Sequence, residues 1–427
     1  MGIEKDMRTL VLTIAVACLV LASGCKKGED YTWIKNSIDT ASSQMMAMAE
    51  AVDGTGEIPT TTYADYDVDF LTSQLGRVPS PDTLRAHPPV DKVDKRRLGN
   101  IYDWRSGFFA GALWYVYEFT GDEGVREQAA KYTNLLYPVS KYTDNHDIGF
   151  MINCSYGNAL RLSPNDSIPA VIVSTADNLL SRFNPEIGCI RSWDFGKWNY
   201  PVIIDNMMNL ELLFNAYKLT GDEKYRDVAI THANTTLANH FRPDVTTFHV
   251  VSYNSDGTVE SRGTFQGRSD GSSWSRGQSW GLYGYTMCFR ETGDSSYLAQ
   301  AVRIADMILE RNTTEDGVPY WDFDAPASPD TPRDASAGAI IASALLELYG
   351  YVPNEAYYAT AEKIIKSLSG SEYLASPGEN EFYVLKHSTG SLPHGNEIDA
   401  PLIYADYYYL EALLRYMEMN KLNYSQL

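Results

Sequence analysis

Three times in this chain an apolar, helix-like run ends in Thr-Gly-Asp, and a second amphipathic run follows at once. The first copy is Tyr115-Val-Tyr-Glu-Phe-Thr-Gly121-Asp122 before Val125 to Leu136. The second is Phe214-Asn-Ala-Tyr-Lys-Leu-Thr-Gly221-Asp222 before Tyr225 to Leu237. The third is Thr286-Met-Cys-Phe-Arg-Glu-Thr-Gly293-Asp294 before Tyr297 to Leu309. Glycine enters the left-handed conformation that ends a helix without a Cβ penalty, and an aspartate beyond it accepts the first free N–H groups of the next helix. Each copy therefore reads as an αα-hairpin. Two weaker copies lack the glycine: Tyr156 to Leu180 turns at Pro164-Asn165-Asp166, and Ala342 to Leu368 turns at Pro353-Asn354.

Helical spacing from Tyr31 to Ala51 and from Leu402 to Asn420 supplies a sixth pair, made of the first helix and the last. Twelve helices in six hairpins predict an all-α closed double ring, an (α/α)6 toroid, over an open array of helix pairs. The hairpins are too unevenly spaced for an ordinary solenoid. The extra length falls in the connections between them, such as Pro59 to Pro89, Phe248 to Trp280 and Asp322 to Ser336. Long loops on one rim of a regular scaffold are where a binding site is expected. Strand signals are short, Phe248 to Tyr253 being one, and read as loop hairpins.

The N-terminus reads as a targeting segment. Lys5 and Arg8 precede the apolar run Leu10 to Ala22, too short for a comfortable membrane span, which ends L-A-S-G-C at Cys25. That ending resembles the lipobox of bacterial lipoproteins. The resemblance implies a signal peptide over 1–24, lipidation of Cys25 and a tether over 25–30, which leaves a single (α/α)6 domain over 31–427. The expected location is the bacterial cell envelope, facing the periplasm or the outside, with the membrane touched only through the lipid. Cys154, Cys189 and Cys288 then remain. With no C-x-x-C pair, neither a disulfide framework nor a zinc site is expected.

A formal net charge of −20 argues against nucleic acid as a partner, and against an anionic ligand unless the site gathers positive charge locally. The 30 Tyr and 8 Trp offer ring faces that suit sugars where they stay exposed. There is no P-loop, nucleophile elbow, H-E-x-x-H or EF-hand loop.

What stands at the ends of the apolar helices is a set of carboxylates, histidines and aromatics. Asp205 follows R-S-W-D-F-G-K-W-N-Y-P-V-I-I, with Trp193 inside that run, and opens M-M-N-L-E-L-L. His146 and Asp147 lie in D-N-H-D-I-G-F, Trp104 in D-W-R-S-G-F-F-A-G-A-L-W, and His249 in F-H-V-V. The segment Gly263 to Tyr283 holds Gln266, Arg276 and Trp280. From Arg262 to Gly284, Arg262, Arg268 and Arg276 face only Asp270 in the count of charge, and an arginine fork suits a carboxylate. Paired carboxyls beside a sugar suit acid/base work, because repulsion and a dry pocket keep one of them protonated near neutrality. Each residue also has a plain structural reading. Asp205 and Asp147 could cap helices, the histidines could be satisfied core groups, Arg276 could be a surface ion pair, and Trp104, Trp193 and Trp280 could be core.

Together these blocks resemble the unsaturated glucuronyl hydrolases, glycoside hydrolase family 88. The resemblance runs over roughly residues 31–420 through W-R-S-G-F-F-A-G-A-L-W, H-D-I-G-F, I-I-D-N-M-M-N-L, S-R-G-Q-S-W-G-L-Y-G and A-D-Y-Y-Y-L-E-A-L. The related rhamnogalacturonyl hydrolases carry R-G-N-x-W where this chain has Gln278, which favours the glucuronyl family. The resemblance implies an (α/α)6 toroid with Asp205 as general acid/base and Asp147 as a second essential aspartate. His146 would sit beside Asp147. His249, Gln266, Arg276 and Trp280 would contact substrate, with Arg276 on the uronate carboxylate. Trp104 and Trp193 would be stacking walls, with Trp114 and Trp198 as alternative alignments.

The implied substrate is an unsaturated uronate disaccharide or oligosaccharide left by a polysaccharide lyase. Asp205 would protonate C4 of its C4=C5 enol ether and water would add at C5, with no cofactor, metal or covalent enzyme intermediate required. Sulfate preference would fall to loop residues around Arg268 and His394. A rhamnogalacturonyl hydrolase acting on pectin fragments, and a non-catalytic glycan-binding lipoprotein, are the alternatives.

Overall fold

The structure is a computed structural model that describes residues 30–62, 68–79 and 96–427. The signal peptide, Cys25 and the tether up to residue 29 lie outside the described residues, as do parts of the loop from Pro59 to Pro89. The expected hairpins form. Helices α1 (Thr32–Ala51), α2 (Ser106–Thr120), α3 (Glu123–Leu135), α4 (148–162) and α5 (Ile168–Leu180) are followed by α6 (Leu210–Thr220) and α7 (Glu223–Asn239). Then come α8 (Ser275–Thr292), α9 (Ser295–Arg311), α10 (Ala335–Tyr351), α11 (Glu355–Leu368) and α12 (Ile403–Met419).

The turn chemistry is the one the repeat demands. Gly121, Gly221 and Gly293 end α2, α6 and α8 at φ of 66°, 72° and 71°. Asp122, Asp222 and Asp294 then accept backbone N–H groups at the starts of α3, α7 and α9.

Burial sorts the helices into two layers. On α2, α8, α10 and α12 nearly every residue of the first three turns is buried, which is the mark of a helix surrounded by protein. On α3, α7, α9 and α11 only one stripe is buried. The inner helices α2, α4, α6, α8, α10 and α12 contact one another in that order, and α12 returns to α2, closing the ring. Helix α1 lies outside against α2 and α3, and its Trp33 meets Tyr416 of α12. The apolar side chains of both layers form one continuous core.

Two departures from the expected pattern position the site. Helix α4 begins at Ile148, directly after Asp147, eight residues earlier than its weak repeat signal. It also carries a π-turn over Asn153–Gly157. Second, Val250–Tyr253 is more than a loop hairpin. It is the middle strand of an antiparallel three-stranded sheet, β1 (Pro201–Ile203), β2 (Val250–Tyr253) and β3 (Val259–Gly263). The strand β1 was hidden because three residues are too few to show a period of two. Cys154, Cys189 and Cys288 are buried and unpaired. None of the described helices is long and apolar enough to cross a membrane.

The π-turn of α4 lies close against α2. A Cβ on Gly107 would run into the carbonyl oxygens of Phe150 and Met151, and one on Gly111 into Tyr407 and the Cys154 carbonyl. Backbone cannot give way as a flexible side chain can. Gly107→Ala is therefore expected to cost about 3 kcal/mol of stability, at the upper end of overpacking penalties. Thermal unfolding followed by circular dichroism checks this, with Gly350→Ala, where nothing lies within 4 Å, as the neutral control.

Candidate active site

The sheet brings two distant residues together. Ile203 of β1 pairs with Val250 of β2, so the chain leaving β1 and the chain entering β2 meet at one end. There the Ile204 amide donates to the His249 carbonyl at 3.0 Å, and Asp205 follows in the 3-10 turn Ile204–Asn209 that leads into α6. Beyond β3 the chain folds back, and the amides of Phe265 and Gln266 both donate to His249 Nδ1 at 3.1 Å. Two donors on Nδ1 require it to be the bare ring nitrogen, so the proton sits on Nε2. Burial, helped by the charge of Arg276, holds the ring neutral, with a pKa well below its ordinary value. Nε2–H then lies 3.5 Å from Asp205 Oδ2.

Asp147 precedes α4, yet its side chain caps nothing. Its Oδ1 accepts from Asn209 Nδ2 at 3.2 Å and lies 3.4 Å from His146 Nε2. His146 is buried and its pKa is lowered to about 3 by desolvation, so it too is neutral. Asp205 likewise caps no backbone and is only 9% exposed. The capping readings of both aspartates therefore fail, which leaves two buried carboxyls with little compensation.

Both line one cavity of about 230 Å³, with Trp104, Asn145, Phe150, Trp193, Phe195, Ile203, Phe265, Gln266 and Arg276. Burial pushes Asp205 up to about 7, and the charge of Asp147 adds to the rise. Arg276 and the Trp280 indole pull it back. Burial also pushes Asp147 up to about 7, against the hydrogen bond from Asn209. Buried polar atoms without a partner gather here: Asp205 Oδ2, His249 Nε2, His146 Nε2 and Trp193 Nε1. Polar groups left unpaired in a native interior are costly, and their concentration at one cavity marks a place for a polar ligand.

Larger clefts open elsewhere, one of about 720 Å³ beside Tyr320 and Tyr373. Both of its basic side chains are already paired, Arg333 with Asp316 and His387 with Asp399.

The structure brings together most of the residues singled out from sequence and corrects the rest. Trp104 and Trp193 are half-buried cavity walls; Trp193 stacks on Phe195 at 4.9 Å and tilts against Trp198 behind it. Trp114 is core, its indole donating to Thr133. Trp280 is fully buried between Phe150 and Tyr408, behind Asp205, so it is no stacking face. Gln266 lines the cavity and donates to the Gly390 carbonyl at 3.1 Å.

Arg276 is no surface ion pair. It is 1% exposed and pairs with Asp334 at 2.8 Å. It also donates to the carbonyls of Thr389 and Gly390. Three of its five N–H hydrogens are thus committed, and it is not the open fork expected for a carboxylate. The local arginine excess disperses as well. Arg262 donates to the Asn239 carbonyl and Arg268 to the Gln74 carbonyl, and neither lines the cavity. Gln278 holds the backbone of Thr247 through both its amide atoms, two residues before His249. Asn145, Phe195, Phe265 and Asn209 were not singled out. Only Asn209 had a signal, four residues after Asp205 and so one helical turn along.

Comparisons with known proteins agree with this geometry. Residues 85–422 match Glycosyl Hydrolase Family 88. Residues 6–77 match a domain of unknown function, and their described part includes α1. An unsaturated glucuronyl hydrolase of Formosa agariphila is 47% identical over 318 residues, which are 73% of this chain and 80% of that protein. An unsaturated chondroitin disaccharide hydrolase of Streptococcus agalactiae is 34% identical over 75% of this chain and 84% of its own length. The crystal structure of an unsaturated glucuronyl hydrolase specific for heparin superposes with a TM-score of 0.83 at 43% identity. It covers 92% of this chain and 99% of that one.

The raised carboxyls make stability depend on pH. The unfolded chain releases these protons near pH 4, while the folded site keeps them to about pH 7. The stabilising protonated form is complete below pH 4 and lost as the pH rises toward 7. Asp205→Asn, neutral at every pH, is expected to melt above the wild type at pH 8, with the gap closing toward pH 4. A gap that does not change with pH would contradict a raised Asp205.

Proposed function

The chain belongs to glycoside hydrolase family 88, and from that premise we propose that it removes a 4,5-unsaturated glucuronate from the non-reducing end of lyase-generated glycosaminoglycan oligosaccharides, with Asp205 as the acid. One observation carries this reading: two carboxyls, both raised toward neutrality by burial, share one aromatic-walled cavity. A neutral Asp205 beside a charged Asp147 is the arrangement an acid-catalysed hydration needs. The cavity is smaller than the ~300–1,000 Å³ of sites for drug-sized ligands, which suits a single terminal ring.

The steps follow from the bonds. Asp205 gives its proton to C4 of the enol ether, and positive charge develops across C5 and the ring oxygen. The Asp147 carboxylate stabilises that charge. Water adds at C5 and returns a proton to the carboxylate pair. The hemiketal then opens by breaking C5–O5, which leaves O5 on C1 as a hemiacetal. Collapse of that hemiacetal expels the glycosidic oxygen with the neighbouring sugar. Neutral His249, with Nε2 3.5 Å from Asp205 Oδ2, stands beside the acid without competing for its proton.

An acidic protein takes an anionic ring by three means. One of the two carboxyls is neutral. Gln266 and Arg276 line the cavity, and the guanidinium adds its positive field. The inner helices α4, α6, α8 and α10 all start at this end, so their positive dipole ends converge on it. A heparin-specific relative at 43% identity and a chondroitin-disaccharide relative at 34% support a substrate among glycosaminoglycan products. A non-catalytic binder has no use for two raised carboxyls. The pectin-fragment reading rested against Gln278, which reaches no substrate space here.

The test follows the absorbance of the conjugated uronate. Wild type is expected to bleach unsaturated heparin and chondroitin disaccharides and to leave the rhamnogalacturonan product unchanged. Asp205→Asn should lower kcat/KM by ~10³-fold with fold intact, the scale of losing a general acid and its charge. Near-normal activity in that variant would end the mechanism.

We also propose envelope anchoring through Cys25, supported by L-A-S-G-C at the end of the apolar run. In a bacterial host Cys25→Ala is expected to move the protein from the detergent phase to the aqueous phase. Equal partition of both forms would remove the anchor.

A further inference from the structure

Asn209 does not itself line the cavity and is closed to solvent, yet it joins everything around Asp147. It is 0% exposed and closes the 3-10 turn that Asp205 opens. Its carboxamide cannot turn over. The Phe150 amide donates to Oδ1 at 2.8 Å, which fixes the oxygen toward α4 and the nitrogen toward the carboxyl pair. Gly149 makes room for it, since a Cβ there would strike Asn209 atoms. Nδ2 then faces Asp147 Oδ1 at 3.2 Å, and His146 Nδ1 and Asn206 Oδ1 each at 3.4 Å. Two hydrogens meet three acceptors, and the shortest contact is with the carboxylate.

The surrounding charges do not by themselves put the proton on the right aspartate. Asp205 faces Arg276, whose charge favours an ionised Asp205, together with Asp147, neutral His249 and the Trp280 indole. Asp147 faces Asp103, which disfavours its charge, Arg182, which favours it, and neutral His146. The nearest cation thus pulls toward a charged acid and, by difference, a protonated partner. The Asn209 donor on Asp147, ahead of the more weakly felt charge of Arg182, opposes that pull.

We propose that Asn209 is a positioning residue that assigns the proton of the pair: clamped by the Phe150 amide, it donates to Asp147 Oδ1, keeps the charge there, and leaves the proton on Asp205. This rests on the glucuronyl hydrolase reading for its catalytic consequence, but the assignment of the proton stands on the geometry alone.

Two variants test it. Asn209→Ala removes the donor. Asn209→Asp keeps an acceptor for the Phe150 amide and replaces the donor by a second carboxyl, so it answers if the alanine variant fails to fold. The expected result is a kcat/KM–pH profile on an unsaturated disaccharide whose acid limb moves toward neutral by about one pH unit, more in Asn209→Asp. Activity at pH 5 then falls ~10-fold while KM at the optimum changes little. Carbon-13 titration of the aspartate carboxyls, assigned with Asp147→Asn and Asp205→Asn, should show Asp147 giving up its proton at higher pH in both variants. A uniform loss with an unmoved profile, or an unmoved Asp147 titration, overturns the proposal. If wild type is inactive on every unsaturated disaccharide, the functional reading fails, and the carboxyl titration still decides the placement of the proton.

Discussion

A carboxylate taken out of water is stabilised only by what the protein puts around it, and this fold places two such groups at one mouth of a helical ring with little around them. That constraint accounts for the construction of the mouth. Asp147 and Asp205 sit where two inner helices begin, so backbone and ring packing fix their positions. Arg276, the one buried cation lining the cavity, is held by Asp334 and by the carbonyls of Thr389 and Gly390. It acts on Asp205 through its field more than through contact. The Gly390 carbonyl also receives Gln266, so the segment 388–399 and the cavity wall share one anchor. On the far side of that segment Glu397 pairs with Arg105, next to Trp104.

The opposite mouth of the ring shows the contrary solution. There Arg290 pairs with Glu211 and Glu347, Arg415 pairs with Glu347, and Glu411 accepts from Tyr115, Tyr283 and Ser343. Each of these charges has an opposite charge or several donors, and Glu211, Glu411 and Arg415 line a polar cavity of about 350 Å³. A matched network of this kind holds helices in register. The same inner helices thus carry satisfied carboxylates at one end and unsatisfied ones at the other. The chemistry is assigned to the unsatisfied end.

The ring was legible because its turns are written in short-range chemistry. Gly121-Asp122, Gly221-Asp222 and Gly293-Asp294 each specify an ended helix and a capped one within a few residues. Asp205, Asp147 and His249 were legible as candidates because polar residues at the edges of apolar runs stand out. What the sequence hid was every relation that depends on long-range register. The pairing of Ile203 with Val250 is set across 46 intervening positions and brings Asp205 beside His249. Arg276 looked like a free fork because Asp334 and Gly390 are remote in sequence. Trp280 looked like a substrate contact because composition cannot tell an exposed ring from one wedged between Phe150 and Tyr408. Arg262 and Arg268 looked like a charge cluster because proximity along the chain was mistaken for proximity in space. The sequence marked which residues carry chemistry better than it marked which way they face.

Closure of the ring has a consequence for how such a chain acquires its shape. The seam is made by α12 against α2, with Tyr407 seated where Gly111 leaves no side chain, across almost 300 residues of sequence. Until the last helix has emerged, the inner face of α2 and one flank of α10 lack their final neighbour. Contacts that far apart form late and slowly, and the intermediate shows apolar surface while it waits. Closure therefore waits for α12, and the aromatic run Tyr404 to Tyr409 is the keystone that turns a row of hairpins into a vessel with an inside.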